Sequence, residues 1–449
     1  MESIVIIGGN AAGLTAASRA KRINPSLDIT VLERLPQIAY STCGIPYLLS
    51  KLVEADHLIS FTPEKFQEER GIRVHNQVQV NAIIPGRKRV EATRVDTGES
   101  MTFAFDRLLI AAGVRAHIPN IPGNDLKHVY SILSLQDALR LQQHLETAST
   151  VGIIGAGYAG LEFAESLRTL GKTVRVFERE PHVMPTIDPD MAQIIEFELR
   201  RFGVEVFTSA KVLALTGQDG RVQGIKAVSS LGIVPADLVL MDTGVSPNTD
   251  LVADTDIRIG LAGGIAVDEH METTVPGIFA AGNCAETFCP IRRRPVLNAI
   301  GTVAAKQGRI AGENLAGRRA KFRGSIGTTI LKVFQLGVGR TGLSSREAAI
   351  ERIPCVSARI EADDRASYYP GTSKIWIKLI VERESRRVLG AQAVGYGDIA
   401  KRIDVAATAI SSGMTIDDLA QLDLAYAPPF GSLWDPLLVA AQAVLRRMD

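Results

Sequence analysis

Apolar residues in this chain fall into short unbroken runs separated by glycine turns and by stretches with helical spacing. The segment "SIVIIGGNAAGLTAASRAKRINPSLDITVLER" opens with an apolar run over 3–7, the pattern of a strand covered on both faces. A glycine turn follows, then helical spacing over 11–23, then a second apolar run that ends at Glu33. The same order returns in "STVGIIGAGYAGLEFAESLRTLGKTVRVFERE", whose second strand closes on Glu178. The stretches "LLIAAGVRAHIPNIPG" (108–123) and "ADLVLMDTGVSPNTDL" (236–251) each end a hydrophobic strand in a glycine-containing turn. "TTVPGIFAAGNCAE" (273–286) is a buried strand running into Ala-Gly-Asn. From 324 on, "GSIGTTILKVFQLGVGRTG", "KIWIKLIV" and a helical stretch near 400–412 predict an α+β module without such a turn.

Composition narrows the class. A chain of 449 residues exceeds one compact domain and predicts two or three. With 46% hydrophobic and 22% charged residues and 40 glycines it reads as a soluble globular α/β protein. A formal charge of +1 gives no global attraction to nucleic acid or anionic membranes, so an anionic ligand must be held locally. No apolar run approaches the roughly 18 residues that span a bilayer. The opening "MESIVIIGG" has an acid where a signal peptide has positive charge, so a cytoplasmic protein is expected. Cysteines 43, 284, 289 and 355 show neither disulfide-framework nor metal-ligand spacing.

The repeated strand–turn–helix–strand unit is the dinucleotide fingerprint. In the first copy Gly8 permits the tight turn and Gly13 allows close helix packing. The amides of the helix start, around Asn10 and Ala11, receive a pyrophosphate, and Glu33 suits a ribose diol. Asn10 stands where the middle glycine is usual. The second copy has the full spacing, Gly155, Gly157 and Gly160, with Glu178 as the acid. One clamp for a flavin and one for a nicotinamide nucleotide is the economical reading. Glu178 favours NADH over NADPH, and the adjacent Arg179 is able to reverse that preference. The turns at Ala112, Gly113 and Gly244 suit chain crossings between two interleaved nucleotide domains. Gly282 and Asn283 place amides and a side chain at a strand end, where α/β folds bind ligands. The expected fold is α/β: two interleaved Rossmann-like FAD and NAD(P) domains plus a C-terminal α+β domain. The expected boundaries are 1–113 and 245–323 for the FAD domain, 114–244 for the NAD(P)H domain and 324–449 for the last.

"STCGIPYLL" (41–49) adds chemistry. Gly44 gives a turn and Pro46 suits the first turn of a helix, so Cys43 is expected at a helix start, where amides stabilise a thiolate.

Together the two fingerprints, the "AAG" and "GVSPNT" turns and "VPGIFAAGNCAE" resemble the FAD-dependent pyridine nucleotide–disulfide oxidoreductases over essentially the full length. "STCGIPYLL", "YYPG" (368–371) and "DLAYAPPFGSLWDP" (423–436) are similar to the single-cysteine branch, the coenzyme A-disulfide reductases and CoA-dependent NAD(P)H sulfur oxidoreductases. The resemblance implies FAD, NAD(P)H and CoA. A dithiol reductase has its second cysteine five residues after the first, and Leu48 stands there, so Cys43 would cycle through a mixed disulfide with CoA. Tyr158 would gate nicotinamide access, and Glu162 would approach the flavin. Tyr368 and Tyr426 would reach the partner's Cys43 across a homodimer interface, with Tyr369 as the neighbouring alternative to Tyr368. Thr15, Arg19, Arg22 and Thr42 fall at the family's substrate contacts, and "IRRRPV" (291–296) is another phosphate candidate. Trp434 replaces a family lysine, and Asn283 replaces an aspartate but keeps an acceptor oxygen. No sulfurtransferase domain is expected to follow. NADH oxidase or peroxidase chemistry at a Cys43 sulfenic acid is the alternative. Those relatives typically carry a histidine where Ala11 stands. A redox-sensing flavoprotein is the reading from another class.

Overall fold

The computed structural model describes residues 2–228 and 232–448, which form two compact units. The first runs through Ile45 and adds Val53–Ala116 and Val245–Ser325. Its centre is a parallel sheet in the order Ile278–Ala280, Arg107–Ile110, Ser3–Ile7, Asp28–Leu32, Arg73–His75. Alternation along the central strand assigns its two faces. Ile4 and Ile6 join Ala16, Ala17 and Ala20 of the first helix, Ala11–Ile23, in one buried cluster. Val5 and Ile7 join Val78, Val80 and Val90 in another; these come from the antiparallel strands Val78–Ile84 and Arg89–Arg94.

The first helix is small-sided because a second helix, Gly301–Leu315, lies directly against it. A Cβ at Gly308 would run into the carbonyl of Ala12, and one at Gly312 into that of Ala16. The crossing strands Val114–Ala116 and Val245–Pro247 pair antiparallel, and Asn248 Nδ2 donates to Ala112 O at 2.8 Å.

The second unit comprises Pro46–Leu52, His117–Gly244 and the chain from Ile326 on. Its parallel sheet has the order Glu205–Phe207, Thr173–Phe177, Thr150–Ile154, Leu238–Met241, Val129–Tyr130. Its antiparallel sheet has the order Thr329–Val333, Leu336–Gly342, Val388–Gly395, Lys374–Glu382, Cys355–Asp363 and packs on the helices Ala400–Ser411 and Pro436–Met448. A polar cluster ties the start of the helix Pro189–Arg201 to the antiparallel sheet. Lys378 Nζ lies 2.8 Å from both Asp188 and Asp190, and Ser345 Oγ donates to Asp188 at 2.6 Å.

Candidate active site

The first glycine turn is built as a cradle. Gly8 has φ +112°, open to glycine alone at low cost, and a Cβ on Gly13 would strike the Gly8 carbonyl. Asn10 is extended at the helix start and makes no side-chain cap, so the first amides of the helix, from exposed Ala11 on, are not capped by it. Glu33 accepts from Gly9 N at 2.7 Å and Leu35 N at 2.8 Å. Burial pushes its carboxyl pKa up, opposed by those two amides. At the end of strand Ile278–Ala280, Gln307 Oε1 accepts from Gly282 N at 2.8 Å, while Asn283 Oδ1 is buried without a hydrogen-bond partner. A buried acceptor left unmatched is costly and calls for a donor from a ligand. The uncapped amides, the Glu33 carboxylate and the orphan Asn283 oxygen all lie in the first unit, beside the Ala112–Gly113 turn. They fit the pyrophosphate, ribose and ribityl groups of FAD.

The second turn repeats this construction. Gly155 has φ +108°, and a Cβ on Gly160 would strike the Gly155 carbonyl. Glu178 accepts from Ala156 N at 2.9 Å and Glu180 N at 2.9 Å, matching Glu33 bond for bond. Gly157 is the residue before the helix Tyr158–Thr169 and has no capping side chain. The motif does not reveal Asp242. It follows the apolar strand Leu238–Met241, accepts from Gly160 N at 2.7 Å, and has its pKa raised by burial. An acid closing an apolar run just ahead of Gly244 was the available signal.

Tyr158 and Glu162 share that helix. The Tyr158 hydroxyl lies 2.8 Å from Thr329 Oγ1, on the antiparallel sheet, and accepts from Thr186 Oγ1 at 3.3 Å. Burial, followed by the charges of Glu165 and Asp242, pushes the Glu162 pKa up to about 7. A carboxyl of that kind binds and releases a proton at neutral pH.

Cys43 is the one exposed cysteine; Cys284 and Cys289 are buried and Cys355 is half-buried. The Cys284 thiol donates toward Ile110 O and Ala281 O, and burial pushes its pKa up to about 11, which makes it an inert packing residue. Thr42–Gly44 is a single 3-10 turn leading into the short helix Ile45–Leu49, and Leu48 is buried in that helix. The exposed thiol therefore stands on a turn with no neighbouring cysteine five residues on. The segment after it is fixed by Ser166 Oγ, which donates to Pro46 O at 2.7 Å, and by Gln142 Nε2, which donates to Leu48 O at 3.2 Å.

Tyr368 and Tyr426 come together: the two phenols hydrogen-bond each other, which raises the Tyr426 pKa. Both are exposed, as are Phe430, Leu433 and Trp434. On the first helix Thr15 is half-buried and Arg22 exposed. Arg19 is engaged by a carboxylate, its Nε and Nη2 donating to Glu313 at 2.9 and 2.6 Å. Glu313 also faces Arg309 at 3.6 Å and Arg318 at 3.9 Å, so one acid stands among three guanidiniums and the cluster stays cationic. Arg293 lies at the turn of the hairpin formed by Thr287–Cys289 and Arg294–Val296.

Among the described residues no group of three or more metal-ligating side chains is found, and no helix is long and apolar enough to cross a membrane.

Comparison with known proteins agrees with this geometry. Residues 2–308 match the family model for pyridine nucleotide-disulphide oxidoreductases, and residues 328–436 match the dimerisation domain of the same family. The chain is 38% identical over 446 residues to a CoA-dependent NAD(P)H sulfur oxidoreductase of Pyrococcus furiosus, covering 99% of both chains. It is 35% identical to an NADH oxidase of Methanocaldococcus jannaschii, again over 99% of each. It is 27% identical to a coenzyme A disulfide reductase of Staphylococcus aureus, over 96% of this chain and 97% of that one. Among solved structures, an NAD-dependent persulfide reductase from A. fulgidus superposes with a TM-score of 0.96 at 38% identity, covering 99% of this chain and 83% of that one.

Proposed function

Because this chain belongs to the pyridine nucleotide-disulphide oxidoreductases, we propose that it is an NAD(P)H-dependent flavoprotein that reduces coenzyme A disulfide, or a CoA-linked persulfide, through Cys43. The observation that carries this reading is a single exposed cysteine on a turn, with buried Leu48 where a second sulfur would stand.

FAD, when bound, supplies the relay that turns a nicotinamide hydride into an electron pair for sulfur. Gly8, Asn10, Ala11, Gly13, Glu33, Ala112, Gly113, Gly282 and Asn283 hold it in the first unit. Gly155, Gly157, Gly160, Glu178 and Gly244 hold NADH, or NADPH with Arg179 as phosphate partner. Tyr158 covers the nicotinamide position, and Glu162 manages a proton near neutrality.

The Cys43 thiolate attacks one sulfur of CoA disulfide, forming a Cys43–CoA mixed disulfide and expelling one CoA thiolate. Two electrons from NAD(P)H then cleave that bond, returning the Cys43 thiolate and a second CoA thiolate. Two protons, one carried in the hydride given up as NAD(P)H is oxidised and one from solvent, complete two CoA thiols. Tyr368 and Tyr426 of the partner subunit in a homodimer hydrogen-bond the leaving thiolate and hand on its proton. Thr15, Arg22 and Thr42, with the cationic cluster around Arg19, receive the CoA phosphates. The cytoplasm, which keeps thiols reduced, is the compartment this chemistry requires.

The NADH oxidase relative supports a second reading, in which Cys43 cycles as a sulfenic acid. Steady-state NADH consumption separates the two. Turnover that needs CoA disulfide, or sulfur plus CoA, supports the proposal. Equal turnover with oxygen or peroxide alone, yielding water, contradicts it.

A further inference from the structure

Tyr368 and Tyr426 sit on different loops of the C-terminal domain, and both loops are rooted on one buried cation. Arg402, on the helix Ala400–Ser411, is 1% exposed. Its Nη1 donates to Asp398 O at 2.6 Å and its Nη2 to Asp364 O at 2.7 Å. The same Nη2 lies 3.2 Å from the carboxylate of Asp435, itself 5% exposed.

Asp364 opens the loop that carries Tyr368. Its carboxylate accepts from Ser373 N, at the far end of that loop, at 2.9 Å. Asp435 closes the loop that carries Tyr426, and its Oδ1 accepts from Leu437 N at 2.9 Å at the start of the last helix. The loops also touch directly, through Ala366 N donating to Pro428 O at 3.4 Å.

A buried ion pair is a costly way to close two loops, since apolar side chains of similar volume often serve stability as well or better. This pair is also incompletely matched: Arg402 Nε has no hydrogen-bond partner, and Asp435 Oδ2, 3.2 Å from Arg402 Nη2 and 3.7 Å from Lys401 Nζ, is held by charge without a hydrogen bond. The guanidinium supplies what an apolar residue does not: Nη1 fixes the plane of the fork against Asp398 at the start of its own helix, and Nη2 meets both loops from that fixed position.

We propose that Arg402, with Asp435 as its counter-ion, is the positioning residue that sets the Tyr368–Tyr426 pair and so aligns the proton supply for the thiolate leaving the partner's Cys43. This rests on the reading of the two tyrosines given above. Misplacing a proton donor by about 1 Å costs on the order of 100-fold in rate, so a loop anchor outside the site is able to govern one half-reaction selectively.

Arg402→Met alone would leave the buried Asp435 carboxylate with only half-buried Lys401, 3.7 Å away, as its cation and endanger folding. The informative variant is R402M/D435N, which removes both charges and keeps the oxygen that caps the last helix. R402K is its companion, retaining the charge but not the fork. Dimeric, FAD-loaded protein is followed by stopped flow, first for reduction by NADH and then for reoxidation by CoA disulfide. Reduction by NADH is expected within about twofold of wild type, with reoxidation slowed about 10- to 100-fold in both variants. Adding Y368F/Y426F to R402M/D435N should cause no further loss. Wild-type reoxidation in R402K and R402M/D435N alongside an impaired Y368F/Y426F overturns the clamp and leaves the tyrosines standing, as does an additive loss. Wild-type turnover of Y368F/Y426F overturns the tyrosine reading and the clamp with it.

Discussion

Glu162 lies in a helix with Glu165 and Asp242 in reach and little water around it, so its proton is held to about pH 7. An acid with a raised folded pKa keeps a proton that the unfolded chain has already released. Its contribution to stability is therefore present below the ordinary carboxylate range and declines as pH rises through about 7. The expected loss is at most about 3 kcal/mol between pH 4.5 and 8, and less where solvent screens the group. Chemical denaturation of E162Q, without added nucleotide, should lack that decline and show higher stability than wild type at pH 8. Parallel pH profiles for the two proteins would refute the assignment. The carboxyl itself is visible in the second fingerprint, but its shifted proton is not, because Asp242 comes from a distant strand. Cysteine roles are split in the same way. The sequence shows four thiols, and only the fold shows that Cys284 is sealed among Ile110 and Ala281 carbonyls while Cys43 faces solvent.

Helices Ala11–Ile23 and Gly301–Leu315 touch through bare backbone, with Gly308 against Ala12 and Gly312 against Ala16. Either Gly308→Ala or Gly312→Ala should lower stability by about 1–3 kcal/mol through overpacking, read as a fall in thermal midpoint with FAD occupancy reduced alongside. Unchanged midpoints would mean that the helices separate freely. The strand–turn–helix units were legible because each writes its whole pattern locally: apolar run, glycines at fixed offsets, terminal acid. Gly308 and Gly312 were not legible as a contact, since their partner helix lies at the opposite end of the chain segment that builds the unit. The turn at Cys43 is also shorter than its sequence suggests, a single 3-10 turn before the helix Ile45–Leu49, so nearby amides rather than a long helix dipole are available to the thiolate.

At the scale of the whole molecule a dimerisation domain is matched over residues 328–436, and the proposed mechanism draws its cysteine and tyrosines from different subunits. C43S and Y368F/Y426F should each be nearly inactive with CoA disulfide. After subunit exchange of an equal mixture, half the dimers are hybrids with one intact site of two, so activity should recover to about a quarter of wild type. No recovery, with exchange verified, would place cysteine and tyrosines in one subunit. The α/β class and the two clamps were readable from the chain alone. The pairing of Tyr368 with Tyr426, and the Arg402 root beneath them, required the fold, because each loop shows only an isolated aromatic and the cation lies on a third element. The central claim is that Cys43 takes its second sulfur from CoA. Mass spectrometry of the purified, unreduced protein tests it most directly. A CoA-sized adduct on Cys43, released by NADH or by a reducing agent, is the predicted result; an unmodified or sulfenic Cys43 would contradict it.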